Sequence, residues 1–218
     1  MTDLSAAEGG NLPEHVKGVS RETLERLTIY CRLLVQWQKR INLIAPSTVD
    51  HIWQRHVADS LQISAMIPDV DHLVDMGSGG GFPGLVCAMV MAERGAGQID
   101  LIESNGKKCA FLNAVIRETG LRNTDSVVSV HNDRIEKVLP KLQNPDVITA
   151  RALASLNDLL GLTQSNLQTG TRGLFAKGRD HQQELALARK HWSFDCKIHD
   201  SNLEAGSVVL EISELKPL

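Results

Sequence analysis

The sequence predicts an α/β fold: a seven-stranded, mostly parallel sheet covered by helices, with a helical extension before the first strand. Three observations predict it. From His72 onward, short apolar runs alternate with helix-period segments, the βα rhythm of a sheet covered on both faces. The first of those joins, Val74-Asp75-Met76-Gly77-Ser78-Gly79-Gly80-Gly81-Phe82-Pro83-Gly84, places five glycines within eight positions. With 218 residues, 42% of them apolar, the chain has the size and composition of one compact domain. The strand signals divide it into residues 1–66, an N-terminal tail and helical cap, and residues 67–218, the sheet domain as one compact unit.

The first dozen residues are polar and acidic, which suits a loose tail. They lack the basic and apolar regions of a secretory signal. Ser20-Arg21-Glu22-Thr23 reads as a helix start, with Thr23 where a capping box prefers Glu or Gln. Leu24, Leu27, Tyr30/Cys31, Leu34 and Trp37/Gln38 then recur at helical spacing. A second helix is expected from Ser47 to about Ala65, with Val49, Ile52/Trp53, His56/Val57, Leu61 and Met66 on one side. Leu73–Met76 reads as the first strand, and Phe82–Ala92 as its helix, with Pro83 tolerated in the first turn. Gln98–Glu103 is the second strand, and Lys107–Thr119 a helix stopped by Gly120. Ser126–His131 is the third strand, followed by a short helix over Arg134–Leu139. Asp146–Ala150 is the fourth, followed by a helix over Leu156–Leu167. Gly173–Ala176 is the fifth, followed by a helix over Asp180–His191. Ser193–Ile198 and Ser207–Ile212 close the series as two strands with a short hairpin-like link.

The net charge of −3 makes the chain no general polyanion binder, so a nucleic-acid substrate requires a local basic patch. Cys31, Cys87, Cys109 and Cys196 stand singly, with no spacing that suggests zinc, and read as reduced thiols of a cytoplasmic protein. No stretch approaches the length of a membrane span.

A strand that ends in a glycine loop with a helix behind it is how open α/β sheets bind nucleotide-like ligands. The dinucleotide fingerprint needs a small third residue, and counting from Gly77 and Gly79 that position is Phe82, which argues against a pyrophosphate clamp. Asp75, two residues before Gly77, points elsewhere. Asp75-x-Gly77-x-Gly79-x-Gly81 resembles motif I of the class I S-adenosylmethionine-dependent methyltransferases, in which a carboxylate at the strand tip suits the cofactor's ammonium and its water shell. Glu103, ending the second strand, is placed to accept both ribose hydroxyls. His131-Asn132-Asp133-Arg134-Ile135-Glu136 follows the third strand, where an adenine would be held; His131 itself reads as structural. After the fourth strand comes Ile148-Thr149-Ala150-Arg151-Ala152-Leu153-Ala154. It carries neither the Asn/Asp-Pro-Pro-Tyr of amino-group N6 enzymes nor the Pro-Cys of C5-pyrimidine enzymes. Lys177 is available for 2′-hydroxyl chemistry, but the acids that should accompany it are not evident. Guanine N7 needs no base, since it has a lone pair and no proton to lose; proximity and alignment suffice.

Over roughly residues 20 to 215 the chain resembles the bacterial RsmG family, the 16S rRNA guanine-N7 methyltransferases, also called the glucose-inhibited division protein B family. The resemblance rests on Trp37-Gln38-Lys39-Arg40-Ile41-Asn42-Leu43-Ile44, Arg55-His56-Val57-Ala58-Asp59-Ser60-Leu61 and Asp75 through Gly84 with its Phe-Pro-Gly tail. It extends to Ser104-Asn105-Gly106-Lys107-Lys108-Cys109-Ala110-Phe111-Leu112, Arg151-Ala152-x-Ala154-Ser155-Leu156 and Lys177-Gly178. It implies the class I methyltransferase (Rossmann-like) fold with an antiparallel last strand, and methyl transfer from S-adenosylmethionine to a guanine N7 in the 530 loop. The implied cofactor contacts are Asp75, Gly77, Gly79, Gly81, Phe82, Glu103, Arg134, Ile135, Glu136 and Arg151. Lys39, Arg40, Arg55, His56 and Lys177 form the candidate RNA-binding set, and Arg151 and Lys177 are the candidates for a catalytic role. Asp59 is expected to pair with His56 or Arg55 and hold the cap to the sheet. Trp37 and Trp53 read as core. The implied partner is 16S rRNA or the small ribosomal subunit, with no membrane and no metal, and the chain is expected to be a monomer. Gln38 and Ile44 depart from the Asn and Thr frequent in the family, which touches fine RNA contacts more than the reaction. Two alternatives stay open: the same fold acting on another substrate, and an RNA-associated nucleotide-binding protein without turnover.

Overall fold

A computed structural model of the chain describes residues 16, 18–95, 97–143, 145–201 and 206–218. The expected loose tail and most of the link between the last two strands lie outside the described residues. Helix α1 (Arg21–Gln38) starts where Ser20 Oγ accepts the Thr23 amide at 3.1 Å. Leu27, Tyr30, Cys31 and Leu34 form its buried stripe, and it packs on α3 (Gly84–Met91) and α4 (Gly106–Glu118). Gln38 secures the turn that follows. Its Oε1 accepts the Leu43 and Ile44 amides at 2.9 and 3.1 Å, and its Nε2 donates to the Ile44 carbonyl at 2.8 Å.

The single helix expected over Ser47–Ala65 is corrected to three pieces. A 3₁₀ turn (Pro46–His51) leads to a π turn (Trp53–Val57) and then α2 (Ala58–Ala65). In the π turn the Ala58 amide reaches back to the Trp53 carbonyl, a wider loop than an α turn. That widening lets Trp53, His56 and Val57 all be buried in so short a stretch.

The remaining elements are β1 (His72–Met76), β2 (Gln98–Ile102), β3 (Val127–His131), α5 (Ile135–Val138), β4 (Val147–Arg151), α6 (Leu156–Leu167), β5 (Arg172–Lys177), α7 (His181–Ala188), β6 (Trp192–Asp200) and β7 (Val208–Pro217). The sheet order is β3-β2-β1-β4-β5-β7-β6. Strands β1 to β5 pair in parallel, and β7 runs antiparallel to both β5 and β6. This is the seven-stranded class I methyltransferase arrangement that the sequence predicts. The last two strands run further than expected, to Asp200 and Pro217, because exposed polar residues such as Asp200, Glu214 and Lys216 end their apolar signal early.

Alternation along the strands feeds two cores. Leu73, Ile99, Leu101, Val147 and Leu174 face α1, α3 and α4, while Val74, Met76, Ile102, Ile148 and Phe175 face α6 and α7. His131 is structural, as expected: Asp100 accepts from it at 2.6 Å and from His72 at 2.8 Å. The chain reverses its direction of winding between β1 and β4, the switch point where such sheets place ligands.

Candidate active site: two cavities that meet after β4

The glycine loop is a thin wall with two different faces. Gly77, Gly79 and Gly81 adopt φ of +65°, +53° and +92°, which side chains other than glycine rarely take. A Cβ on Gly77 would stand 2.6 Å from Leu153 Cδ1, on the ligand side. On the far side, a Cβ on Gly80 would come within 3.0 Å of the Leu43 carbonyl, and one on Gly81 within 2.9 Å of the Tyr30 hydroxyl. That hydroxyl donates to the Gly80 carbonyl. The helical cap therefore braces the loop from behind.

The first cavity, about 760 Å³, opens between Gly77, the end of β2, the start of α5 and the start of α6. Glu103 stands in its wall, 8% exposed. Its Oε2 accepts the Gly79 amide at 3.0 Å and its Oε1 the Asn105 amide at 2.8 Å. The carboxylate is thus oriented by backbone, and each oxygen keeps a further acceptor site. Arg134, Ile135 and Glu136 line the opposite side. The indole N–H of Trp192 donates to Asn157 Oδ1 at 3.0 Å, and this pair also lines the cavity, as do Asp158, Lys108 and Asp133.

Asp75 is not in this wall. It is 1% exposed and sealed beneath the loop, where its Oδ1 accepts the Thr149 hydroxyl at 2.7 Å. A Cβ on Gly84 would meet its Oδ2 at 2.6 Å, so α3 presses directly on it. Burial raises its pKa to about 6, against hydrogen bonds from Thr149, Ser78 and Gly84 that pull it down. The expectation that Asp75 faces the cofactor's ammonium is corrected: it supports the loop from below.

The second cavity, about 260 Å³, lies between the π turn, α2, and the ends of β4, β5 and β7. Both cavities share Ala152, which follows Arg151 and adopts φ +51°. Arg151 and His56 meet at its edge. Arg151 Nη2 donates to His56 Nδ1. Thr48 donates its hydroxyl proton to the Ala45 carbonyl at 2.8 Å and so accepts from His56 Nε2 at 2.8 Å. This chain of donors fixes His56 as the neutral Nε2–H tautomer. Burial, with Arg151 and Arg55 nearby, lowers its pKa to about 3. Phe82 is the hub beneath them. Its ring stacks on His56 at 5.0 Å, packs on Tyr30 at 5.0 Å, and lies 5.4 Å from the Arg151 guanidinium carbon.

Of the ten residues expected at the cofactor, Gly77, Glu103, Arg134, Ile135 and Glu136 come together around the first cavity. Gly79 contributes an amide to Glu103, and Gly81 and Phe82 turn toward the cap. Arg151 belongs to the second cavity. Lys177 also needs correction as an RNA-phosphate ligand. Its side chain is 7% exposed, and its Nζ donates to Glu184 and to the Ala154 carbonyl, both at 2.7 Å. Glu184 also accepts the Leu156 amide at 2.5 Å, so this pair anchors the β4–α6 connection. Lys39 and Arg40 are exposed, and Arg55 is half-buried in the second cavity's lining. Trp53 is core, and Trp37 packs edge-on against Phe111 at 5.7 Å. Asn157, Asp158 and Trp192 were missed. The first two sit just past the Arg151–Leu156 run, a usable signal; Trp192 opens a strand remote in sequence and gives none. Among the described residues no group of three or more His, Cys, Asp or Glu side chains is arranged to hold a metal ion, and no helix is long and apolar enough to cross a membrane.

The family GidB, described as rRNA small subunit methyltransferase G, matches residues 23–209. A "Ribosomal RNA small subunit methyltransferase G" from Brucella anthropi is 48% identical over 201 residues, covering 92% of each chain. One of the same name from Bartonella henselae is 47% identical, covering 92% of this chain and 91% of its own. Among solved structures, a methyltransferase from Geobacter sulfurreducens superposes with a TM-score of 0.56 at 13% identity, covering 98% of this chain and 96% of that one. At that identity the likeness shows the fold alone.

Proposed function

The chain belongs to the rRNA small subunit methyltransferase G family, and from that premise we propose that it transfers a methyl group from S-adenosylmethionine to guanine N7 in the 530 loop of 16S rRNA. The observation that supports the reading is that two cavities share Ala152 in their linings, the larger of which we assign to the cofactor and the smaller to the acceptor. The donor set of the first cavity fits the cofactor. Glu103 keeps acceptor sites for a ribose diol, Ile135 offers an apolar contact, and Gly77 exposes backbone with no side chain in the way. When bound, S-adenosylmethionine supplies a sulfonium methyl for in-line displacement.

The chain's own residues would then hold and align rather than move protons. His56 has both ring nitrogens engaged, one by Arg151 and one by Thr48. Arg151 is a cation, and the Lys177 ammonium is occupied by Glu184 and Ala154. Such surroundings favour an acceptor that is nucleophilic without deprotonation, as guanine N7 is, over a hydroxyl or an amine. Phe82, held by Tyr30 and His56, fixes the floor on which Arg151 rests. Within the N-terminal tail and helical cap, residues 18–66 stiffen the glycine loop and offer Lys39 and Arg40 to rRNA phosphates. The acceptor is 16S rRNA or the small subunit in the cytoplasm, met by a monomer.

The test is mass mapping of 16S rRNA from cells with and without this chain. Loss of a single N7-methylguanosine from the 530 loop is expected; an unchanged methylation map would overturn the proposal.

A further inference from the structure

We infer that the start of α6 holds the amino-acid end of the cofactor, with the Asn157 side-chain amide donating to its carboxylate and Trp192 positioning that amide. The inference rests on the proposed binding of S-adenosylmethionine in the first cavity and names two further residues of that site. Asp75, expected at the cofactor's ammonium, is sealed beneath the glycine loop, so the amino-acid end needs partners elsewhere. The three substituents of the sulfonium divide the wall between them. In the proposed reading Glu103 takes the ribose, with the adenine toward Ile135 and Glu136. The methyl has to face Ala152, which the acceptor cavity shares. The third substituent, a chain ending in an ammonium and a carboxylate, then falls to the wall past Ala152: Ala154, Asn157 and Asp158, with Trp192 against it.

Asn157 is presented in one orientation. Trp192 Nε1 donates to its Oδ1 at 3.0 Å. An indole N–H only donates, so the amide oxygen has to face it and the NH₂ faces away. The Trp192 ring packs against the core shared with α6 and α7, which holds the donor in place. Among the described residues the Asn157 NH₂ has no partner. The backbone beside it offers less. The Leu156 amide is taken by Glu184 at 2.5 Å and the Asp158 amide by Ser155 Oγ at 3.2 Å. A carboxylate at this helix start therefore meets the Asn157 side chain as a donor not yet engaged.

Asp158 completes the match to a zwitterion. Its Oδ2 accepts the Ser155 hydroxyl at 2.7 Å, which turns the carboxylate, and its other oxygen is left for the ammonium. A neutral donor beside that acid suits this ligand. Lysine or arginine in place of Asn157 would close on Asp158 and repel both the ammonium and the sulfonium. Anchoring the far end of the chain also limits the poses of the sulfonium, which is what alignment of the methyl requires.

The test is calorimetry of the full chain with S-adenosylhomocysteine and with 5′-methylthioadenosine, which keeps the adenine, ribose and sulfur and lacks the amino-acid end. The wild-type chain is expected to bind S-adenosylhomocysteine about tenfold or more tightly than the truncated ligand, the scale of hydrogen bonds to a charged group. Asn157→Ala should remove most of that preference and leave affinity for 5′-methylthioadenosine within about twofold. Trp192→Phe, which keeps a ring and removes the donor, should lose about threefold for S-adenosylhomocysteine and nothing for the truncated ligand. If Asn157→Ala does not fold, Asn157→Asp decides: it keeps an acceptor for the indole, sets a carboxylate against the ligand's own, and should lose the preference as well. A variant at Asn157 that keeps the full preference, or that weakens both ligands equally, overturns the inference and leaves the cofactor in its cavity. A wild-type chain that binds neither ligand overturns the cofactor assignment on which the proposed function stands.

Discussion

The acid in the wall of the first cavity is held by backbone amides, whereas the edge of the second is held by long side chains from three distant segments. Around the first, Glu103 is oriented by the Gly79 and Asn105 amides. Around the second, Arg151 from β4, His56 from the π turn and Phe82 from the glycine loop hold one another. The backbone-built wall tolerates change in its neighbours because its donors are peptide groups. The side-chain wall is a linked set, so removing one member misplaces the rest. The two regions should therefore fail differently when mutated.

Arg151→Ala should give the largest separation. It removes the cation over Phe82 and the donor to His56, so transfer should fall by about 10²-fold or more, roughly 3 kcal/mol. Cofactor affinity by calorimetry should stay within about threefold. An equal loss in both would show that the cavities act as one site.

His56→Gln tests the same linked set through pH. In the unfolded chain His56 has an ordinary histidine pKa, and in the fold burial holds it down near 3. Between those values the unfolded chain binds more protons, so stability rises with pH through the window and is lost as pH falls from about 6.5 toward 3. At pH 4 the wild type should have lost about 3 kcal/mol, relative to pH 7, that the Gln variant keeps. Parallel urea-denaturation profiles for the two chains at pH 7 and pH 4 would mean that the imidazole is not held neutral.

The same contrast explains what the sequence made legible. Gly77 and Glu103 could be found because positive φ at a strand end and an acid at the next strand end leave local, evenly spaced traces. The resemblance implies Phe82 as a cofactor contact, yet Tyr30 and His56, far away in sequence, decide where its ring goes. Lys177 ends a strand, where lysine usually meets solvent, and only Glu184 on α7 converts it into an internal tie. The π turn could not be told from an α turn, since Trp53, His56 and Val57 satisfy either period over so short a run.

Glu103→Ala probes the other wall. Losing a charged acceptor should weaken cofactor binding by about 1–3 kcal/mol. Because Glu103 also receives the Gly79 and Asn105 amides, Glu103→Gln should cost less, keeping one oxygen for them. Neither variant should change affinity for rRNA measured without cofactor. A fall in rRNA affinity would mean that the backbone-built wall also serves the acceptor.

The smallest effect is expected at the outer surface, where exposed and internal cations can be told apart by salt. Lys39 and Arg40 are exposed at the end of α1, and Lys177 is tied to Glu184. Each phosphate neutralised by a side chain releases condensed counterions, which steepens the fall of affinity with salt by somewhat under one unit on logarithmic axes. Lys39→Ala with Arg40→Ala should therefore flatten the salt slope of rRNA binding by about one to two units. Lys177→Ala should leave that slope alone while loosening the β4–α6 connection that it anchors through Ala154 and Glu184. A slope that responds to Lys177 and ignores Lys39 and Arg40 would reverse the assignment, placing the rRNA backbone against the second cavity and leaving the end of α1 in solvent.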